Sequence, residues 1–247
     1  MLRIRAQIEY DGSRYHGFQI QHNAPTIQGQ IQKSIKALTG EEVSILAASR
    51  TDAGVHALGQ VIAFNTASSI PPDKWAFALN SVLPEDIRVV QSCQADPDFH
   101  PRFDALGKKY RYLIYRREPG KTFYRNTALC NIEPLNIKEM QKACSLLIGR
   151  HNFKAFCASG SSAKTFEREI TMCHLIEQGP FLILEIAADA FLYNMVRIIM
   201  GTIMDIGRNY WTAEKIKEII ASQDRTKAGA TAPPQGLYLI QVYYKDK

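Results

Sequence analysis

Hydrophobic positions in this chain form short runs whose period switches between two residues and about 3.6, the mark of mixed strands and helices. Leu2, Ile4, Ala6, Ile8 and Tyr10 alternate with Arg3, Arg5, Gln7 and Glu9, which predicts a half-buried strand broken by Asp11-Gly12. Residues 26–38 predict a helix: Thr26 is the N-cap, Ile27, Ile31, Ile35 and Leu38 share a face, and Gly40 follows the end. Apolar runs at 43–48 and 60–64 predict two strands. Pro71-Pro72 starts a helix reaching residue 83, with Trp75, Leu79 and Val82 inward, and residues 87–92 predict a further strand. The order β-α-β-β-α-β is that of a ferredoxin-like unit.

A Pro- and Asp-containing connector, 95–105, marks a boundary. Beyond it, 109–115 predicts a strand, and Asn136 caps a helix reaching residue 148, with Glu139 in the capping-box position. Segments 169–177 and 181–188 predict a hairpin around Gln178-Gly179-Pro180. Residues 190–206 predict a long apolar helix and 212–222 a shorter one with Ile216, Ile219 and Ile220 inward; 237–244 predicts a last strand. The expected fold is therefore α+β. Two ferredoxin-like, RRM-like halves with mostly antiparallel sheets, 1–104 and 105–247, pack side by side with an active-site cleft between them.

The chain has 247 residues, of which 46% are hydrophobic and 22% charged, ordinary for a globular protein, and its formal net charge of +6 permits a polyanionic partner. The five cysteines, Cys93, Cys130, Cys144, Cys157 and Cys173, form no C-x-x-C pair, which argues against a zinc site and for a reducing compartment. The alternating N-terminus lacks the pattern of a signal peptide. The most apolar stretch, 190–204, contains Arg197 and is shorter than the roughly 20 residues a membrane span needs. A cytoplasmic protein without a membrane anchor is the expectation.

Between the strands at 43–48 and 60–64 lies Arg50-Thr51-Asp52-Ala53-Gly54-Val55-His56. A loop between strands is where a rigid scaffold presents chemistry, and Gly54 admits backbone angles a Cβ resists. A carboxylate near an arginine is held ionised, able to act as nucleophile, base or metal ligand; a plain surface turn is the alternative. Tyr10-Asp11-Gly12 through His16-Gly17-Phe18-Gln19, with Thr26-Ile27-Gln28, supplies His, Tyr and Gln groups suited to RNA, or forms an ordinary strand–helix loop. Arg102, Lys108, Lys109 and Arg111 interleave with Phe103, Tyr110 and Tyr112, which suits a phosphate backbone and splayed bases or else a solvated basic face. Arg197 in an apolar helix either pairs with an anion or snorkels to water.

These strings resemble the tRNA pseudouridine synthase A family in five segments, in order. They are the YDG…HG-aromatic-Q…TxQ motif with Phe18 where the family usually has Trp, RTDAGVHALGQV, the KxYRY segment, FLxxMVR, and the C-terminal stretch around Gln235-Gly236-Leu237. A further segment, His151-Asn152-Phe153, departs from the family's usual His-Asp-Phe at Asn152. The resemblance implies isomerisation of uridine to pseudouridine at positions 38, 39 and 40 of the tRNA anticodon arm, by a homodimer, without cofactor or metal. It implies Asp52 as catalytic aspartate, acting as nucleophile at C1′ or as base at C2′. Tyr110 would lie against the target base, Arg197 would pair with Asp52 with Arg50 in support, and Leu237 would line the site with apolar surface. His16, Gln19, Arg102, Lys108, Lys109 and Arg111 are the candidate RNA contacts. A non-catalytic RNA-binding module is the second reading. A glycosidase or nucleoside hydrolase is the third, and would need a second carboxylate that the motif does not supply.

Overall fold

The computed structural model describes residues 1–245. The chain forms two compact units, residues 1–106 joined by the segment from Tyr238, and Gly107–Leu237. In the first, β1 (Leu2–Tyr10) buries Ile4, Ala6, Ile8 and Tyr10, as its alternation predicts. Helix α1 (Ile27–Thr39) starts where the Thr26 side chain accepts from the Gly29 N–H and stops at Gly40 in the left-handed region. After β2 (Leu46–Ala47), β3 (His56–Thr66), α2 (Trp75–Asn80) and β4 (Ile87–Gln94), the sheet runs β4-β1-β3 antiparallel, with β2 on the far side of β3. Trp75 and Phe64 meet edge-on at 5.0 Å in its core.

Two expectations fail here for physical reasons. The run at 43–48 supplies only a two-residue strand, because side chains of α1 take its carbonyls: Gln28 Nε2 donates to Ile45 O and Gln32 Nε2 to Val43 O. The helix expected to reach residue 83 ends at Asn80, so Val82 is exposed and Leu83 turns inward instead.

The second unit opens with β5 (Gly107–Tyr115), followed by α3 (Lys121–Tyr124), β6 (Leu129–Cys130), α4 (Ile137–Leu147), β7 (Gly149–Asn152), β8 (Glu167–Gln178) and β9 (Phe181–Ala188). Its antiparallel sheet runs β5-β9-β8-β7, with β6 parallel to β5. The β8–β9 hairpin turns through Gly179-Pro180 with Gly179 at φ +58°. Helix α4 packs on β8, and Asn136 caps it by accepting from the Glu139 N–H. The capping box stays half-made, because the Glu139 carboxylate accepts from Ala213 N instead. Helices α5 (Met195–Gly207) and α6 (Lys215–Ser222) follow. The apolar run from residue 190 is thus not helical until Met195. Asn194 takes φ +59° there, and the Ala158 N–H donates to Tyr193 O. Among the described residues no helix is long and apolar enough to cross a membrane. Finally β10 (Leu237–Tyr243) lies parallel to β3, with Tyr238 opposite His56 and Leu239 opposite Ala57. The fold is mixed α+β with mostly antiparallel strands.

Candidate active site

Asp52 is half-buried on the loop between β2 and β3, and the rest of the first unit fixes that loop's backbone. The segment after β1 lies against it: Phe18 N donates to Thr51 O at 3.0 Å and Gly54 N donates to Tyr15 O at 3.3 Å. Tyr10 and Thr51 share a buried hydroxyl–hydroxyl bond of 2.7 Å. The loop closes on itself through Val55 N donating to Asp52 O at 3.2 Å, which needs Gly54 at φ +75°. Gly17, at φ +92°, comes so near that a Cβ there would stand 2.8 Å from Thr51 O. The YDG…HGFQ segment therefore holds the aspartate loop in place. Phe18 is buried, so its ring is core and not a stacking surface.

Two further supports come from β3, Gln60 and His56, and neither was given a role from sequence although both lie in the RTDAGVHALGQV motif. Gln60 is fully buried; its Oε1 accepts from Ser49 N and its Nε2 donates to Ser49 O, so one amide fixes both sides of the strand exit. His56 lies flat on Tyr238, rings 4.6 Å apart and 19° from parallel, and its Nδ1 accepts from Gly12 N. A buried amide in an apolar strand was the available signal, since such a group must find partners. Gln60→Leu removes both bonds to Ser49 while keeping the volume. Stability should fall by about 2 kcal/mol and turnover should fall with it; an unchanged denaturant midpoint would show the loop is held without Gln60.

Arg50, His16, Gln19 and Arg102 are exposed. Gln19, Arg50 and Arg102 line one cavity of about 160 Å³.

In the second unit, Tyr110 is buried with its ring edge-on to Phe191 at 5.0 Å. Tyr112 and Ile114 share its face, while Lys109 and Arg111 take the other. Those two share one carboxylate, Glu185, across the sheet. Arg111 Nη2 donates to Oε1 at 2.6 Å, and Lys109 Nζ lies 2.7 Å from Oε2. Burial works to raise the Glu185 carboxyl, but the bonds from Lys109 and Arg111 outweigh it and hold the group below the usual carboxylate range. Lys108 is half-buried on the same strand.

Arg197 stands in the first turn of α5, half-buried, not in mid-helix. Its Nε donates to Ala232 O and its Nη1 to Asn194 Oδ1, both at 2.8 Å, and its backbone O accepts from Ala232 N. It thus fixes the loop leading to Leu237, which is buried. The Tyr112 hydroxyl donates to Pro233 O in that loop at 2.7 Å; burial pushes this phenol well above its usual pKa, against the opposing pull of Arg197. His151 contacts Ile148 O through Nε2 and meets Phe153 edge-on, a structural setting.

A family model described as tRNA pseudouridine synthase matches residues 6–104 and 143–245. The tRNA pseudouridine synthase A of Syntrophomonas wolfei is 60% identical over 246 residues, covering 100% of this chain and 99% of the relative. The proteins of the same name from Acetivibrio thermocellus and a Thermoanaerobacter species are 50% and 49% identical, each covering 99% of this chain and 100% of the relative.

Proposed function

Because the chain belongs to the tRNA pseudouridine synthase A family, whose members isomerise uridine in tRNA, we propose that it acts at positions 38, 39 and 40 of the anticodon arm. The supporting observation is Asp52 itself, a half-buried carboxylate on a loop fixed by backbone bonds from two directions. In the reaction the N1–C1′ bond breaks, the uracil turns, and C5 bonds to C1′. C5 gives up its proton and N1 gains one, so atoms balance without a redox partner. Asp52 supplies the carboxylate, either bonding C1′ as glycosidase carboxylates do or taking the C2′ proton. Arg197, with Arg50 in support, keeps that carboxylate ionised and aimed. A paired base must leave the stem first, at a few kcal/mol. Contacts from His16, Gln19, Arg102, Lys108, Lys109 and Arg111 offset that, and Leu237 contributes apolar surface.

The test uses anticodon-arm RNAs carrying uridine at only one of the three positions. Pseudouridine should form in each with the RNA mass unchanged. Conversion only at some other position would overturn the assignment of site, and a mass loss would identify base removal instead. The enzyme works in the cytoplasm as a homodimer, a tRNA being long relative to one subunit's basic surface. Sedimentation showing only fully active monomer at micromolar concentration would contradict the dimer.

Tyr110 sets its ring against the uracil. If its hydroxyl carries the C5 proton, Tyr110→Phe binds tRNA normally and turns over poorly. If only the ring matters, Tyr110→Phe stays active and Tyr110→Ala does not. Near-normal rates in both variants would remove Tyr110 from the site.

A further inference from the structure

The cavity beside the Asp52 loop has walls of two kinds. Phe18, Ile45 and the short strand β2 supply apolar lining, Arg50 and Arg102 supply charge, and the exposed Phe103 adds an aromatic ring. Among the described residues neither guanidinium bonds a carboxylate, whereas Arg111, Arg150 and Arg208 each have a glutamate. Two like charges facing one small volume repel each other unless an anion lies between them, and a guanidinium fork fits phosphate oxygens.

The turn that presents Arg102 is rigid. Phe103 N and Asp104 N both donate to His100 O, Arg102 N donates to His100 Nδ1, and Pro101 O accepts from the Tyr244 hydroxyl. The turn's carboxylate, Asp104, is engaged by the His100 N–H at 2.9 Å. On this frame Phe103 is 76% exposed, its ring leaning on His100 with centroids 4.2 Å apart. A large ring held out to water on a rigid turn, beside unpaired arginines, has the make-up of a base-stacking platform.

We propose that this cavity holds the phosphodiester next to the target uridine, its charge shared between Arg50 and Arg102, with the neighbouring base on Phe103. A volume of about 160 Å³ is tight for a whole nucleotide, which leaves the base to the exposed ring of Phe103. Arg50 is two residues from Asp52, at most about 7 Å between their Cα atoms, so a phosphate held by Arg50 lies beside the catalytic loop. The inference rests on reading the chain as an RNA uridine isomerase.

The experiment uses full-length protein and anticodon-arm hairpins bearing a single neutral methylphosphonate at each linkage flanking the target uridine. Affinities are measured at fixed salt for wild type, Arg102→Gln and Phe103→Ala. At one flanking linkage the neutral group should weaken wild-type binding about tenfold and Arg102→Gln binding less than twofold, and the salt slope of Arg102→Gln should drop by about one. Phe103→Ala should lose about tenfold and keep its sensitivity to the neutral linkage. Equal losses in wild type and Arg102→Gln at every linkage, or wild-type affinity in Arg102→Gln, would overturn the site. Both side chains are exposed, so the variants should fold. Pseudouridine formation by wild type in the unmodified hairpin is read separately: its absence sinks the isomerase reading, while the linkage data still decide whether the cavity takes a phosphate.

Discussion

An Asp52→Asn variant should fold and bind tRNA like the wild type yet form pseudouridine at least about 10⁴-fold more slowly, the scale on which a single essential catalytic group acts. Asparagine keeps the shape and can accept hydrogen bonds, but at neutral pH it neither attacks C1′ nor takes a proton. Folding should be little changed, because the bonds described for the loop run through backbone groups of Ser49, Thr51, Asp52 and Gly54 and through the Thr51 hydroxyl, all of which remain. Binding should persist because it draws on Lys, Arg and aromatic contacts elsewhere. Retained pseudouridine formation would overturn the central assignment. Lost binding in a folded protein would make Asp52 part of the RNA-holding surface.

Arg197→Met should cost about 2–4 kcal/mol of stability. The substitution leaves Ala232 O and Asn194 Oδ1 without their donor, in a loop also tied to α5 by the bonds from Ala232 N to Arg197 O and from Gly229 N to the Thr202 hydroxyl. Arg197→Lys should recover little, since an ammonium does not reproduce two divergent guanidinium bonds. If Arg197 also pairs with Asp52, Arg197→Met raises the carboxyl's pKa. Activity then disappears as pH falls through that higher value, so the acid limb of the rate profile moves upward. A thermal midpoint equal to wild type would show that the side-chain bonds contribute nothing. An unmoved acid limb in the surviving activity would separate Arg197 from Asp52.

What the sequence disclosed, and what it hid, divides along the distance between interacting residues. Strand β1, helix α1 with its Thr26 cap and Gly40 stop, and the β8–β9 hairpin are written in neighbouring residues, and they form where the pattern places them. The shortening of β2 depends on Gln28 and Gln32 reaching from α1, which no local period contains. The late start of α5 depends on Asn194 adopting a left-handed conformation inside a run that is apolar enough for helix. The same holds at the candidate site. The Asp52 motif is legible, but its supports at Gly17, Tyr10 and Gln60 belong to other segments. Lys109 and Arg111 read as a basic face on β5, yet the register of β9 sets Glu185 opposite Arg111, where its one carboxylate pairs with both and offsets half their charge.

The parallel pairing of β10 with β3 has a bearing on how the protein is made. Tyr238 and His56 are neighbours in the sheet, but the whole second unit is synthesised between them. At about 5–20 residues per second, translating that unit takes on the order of ten seconds. Throughout that interval the edge of β3 that will receive β10 has no partner strand, and the imidazole of His56 lacks the ring it stacks on. The first unit is therefore synthesised first but completed late. A nascent chain arrested anywhere within the second unit would leave that strand edge open to other chains, the kind of surface on which chaperones act.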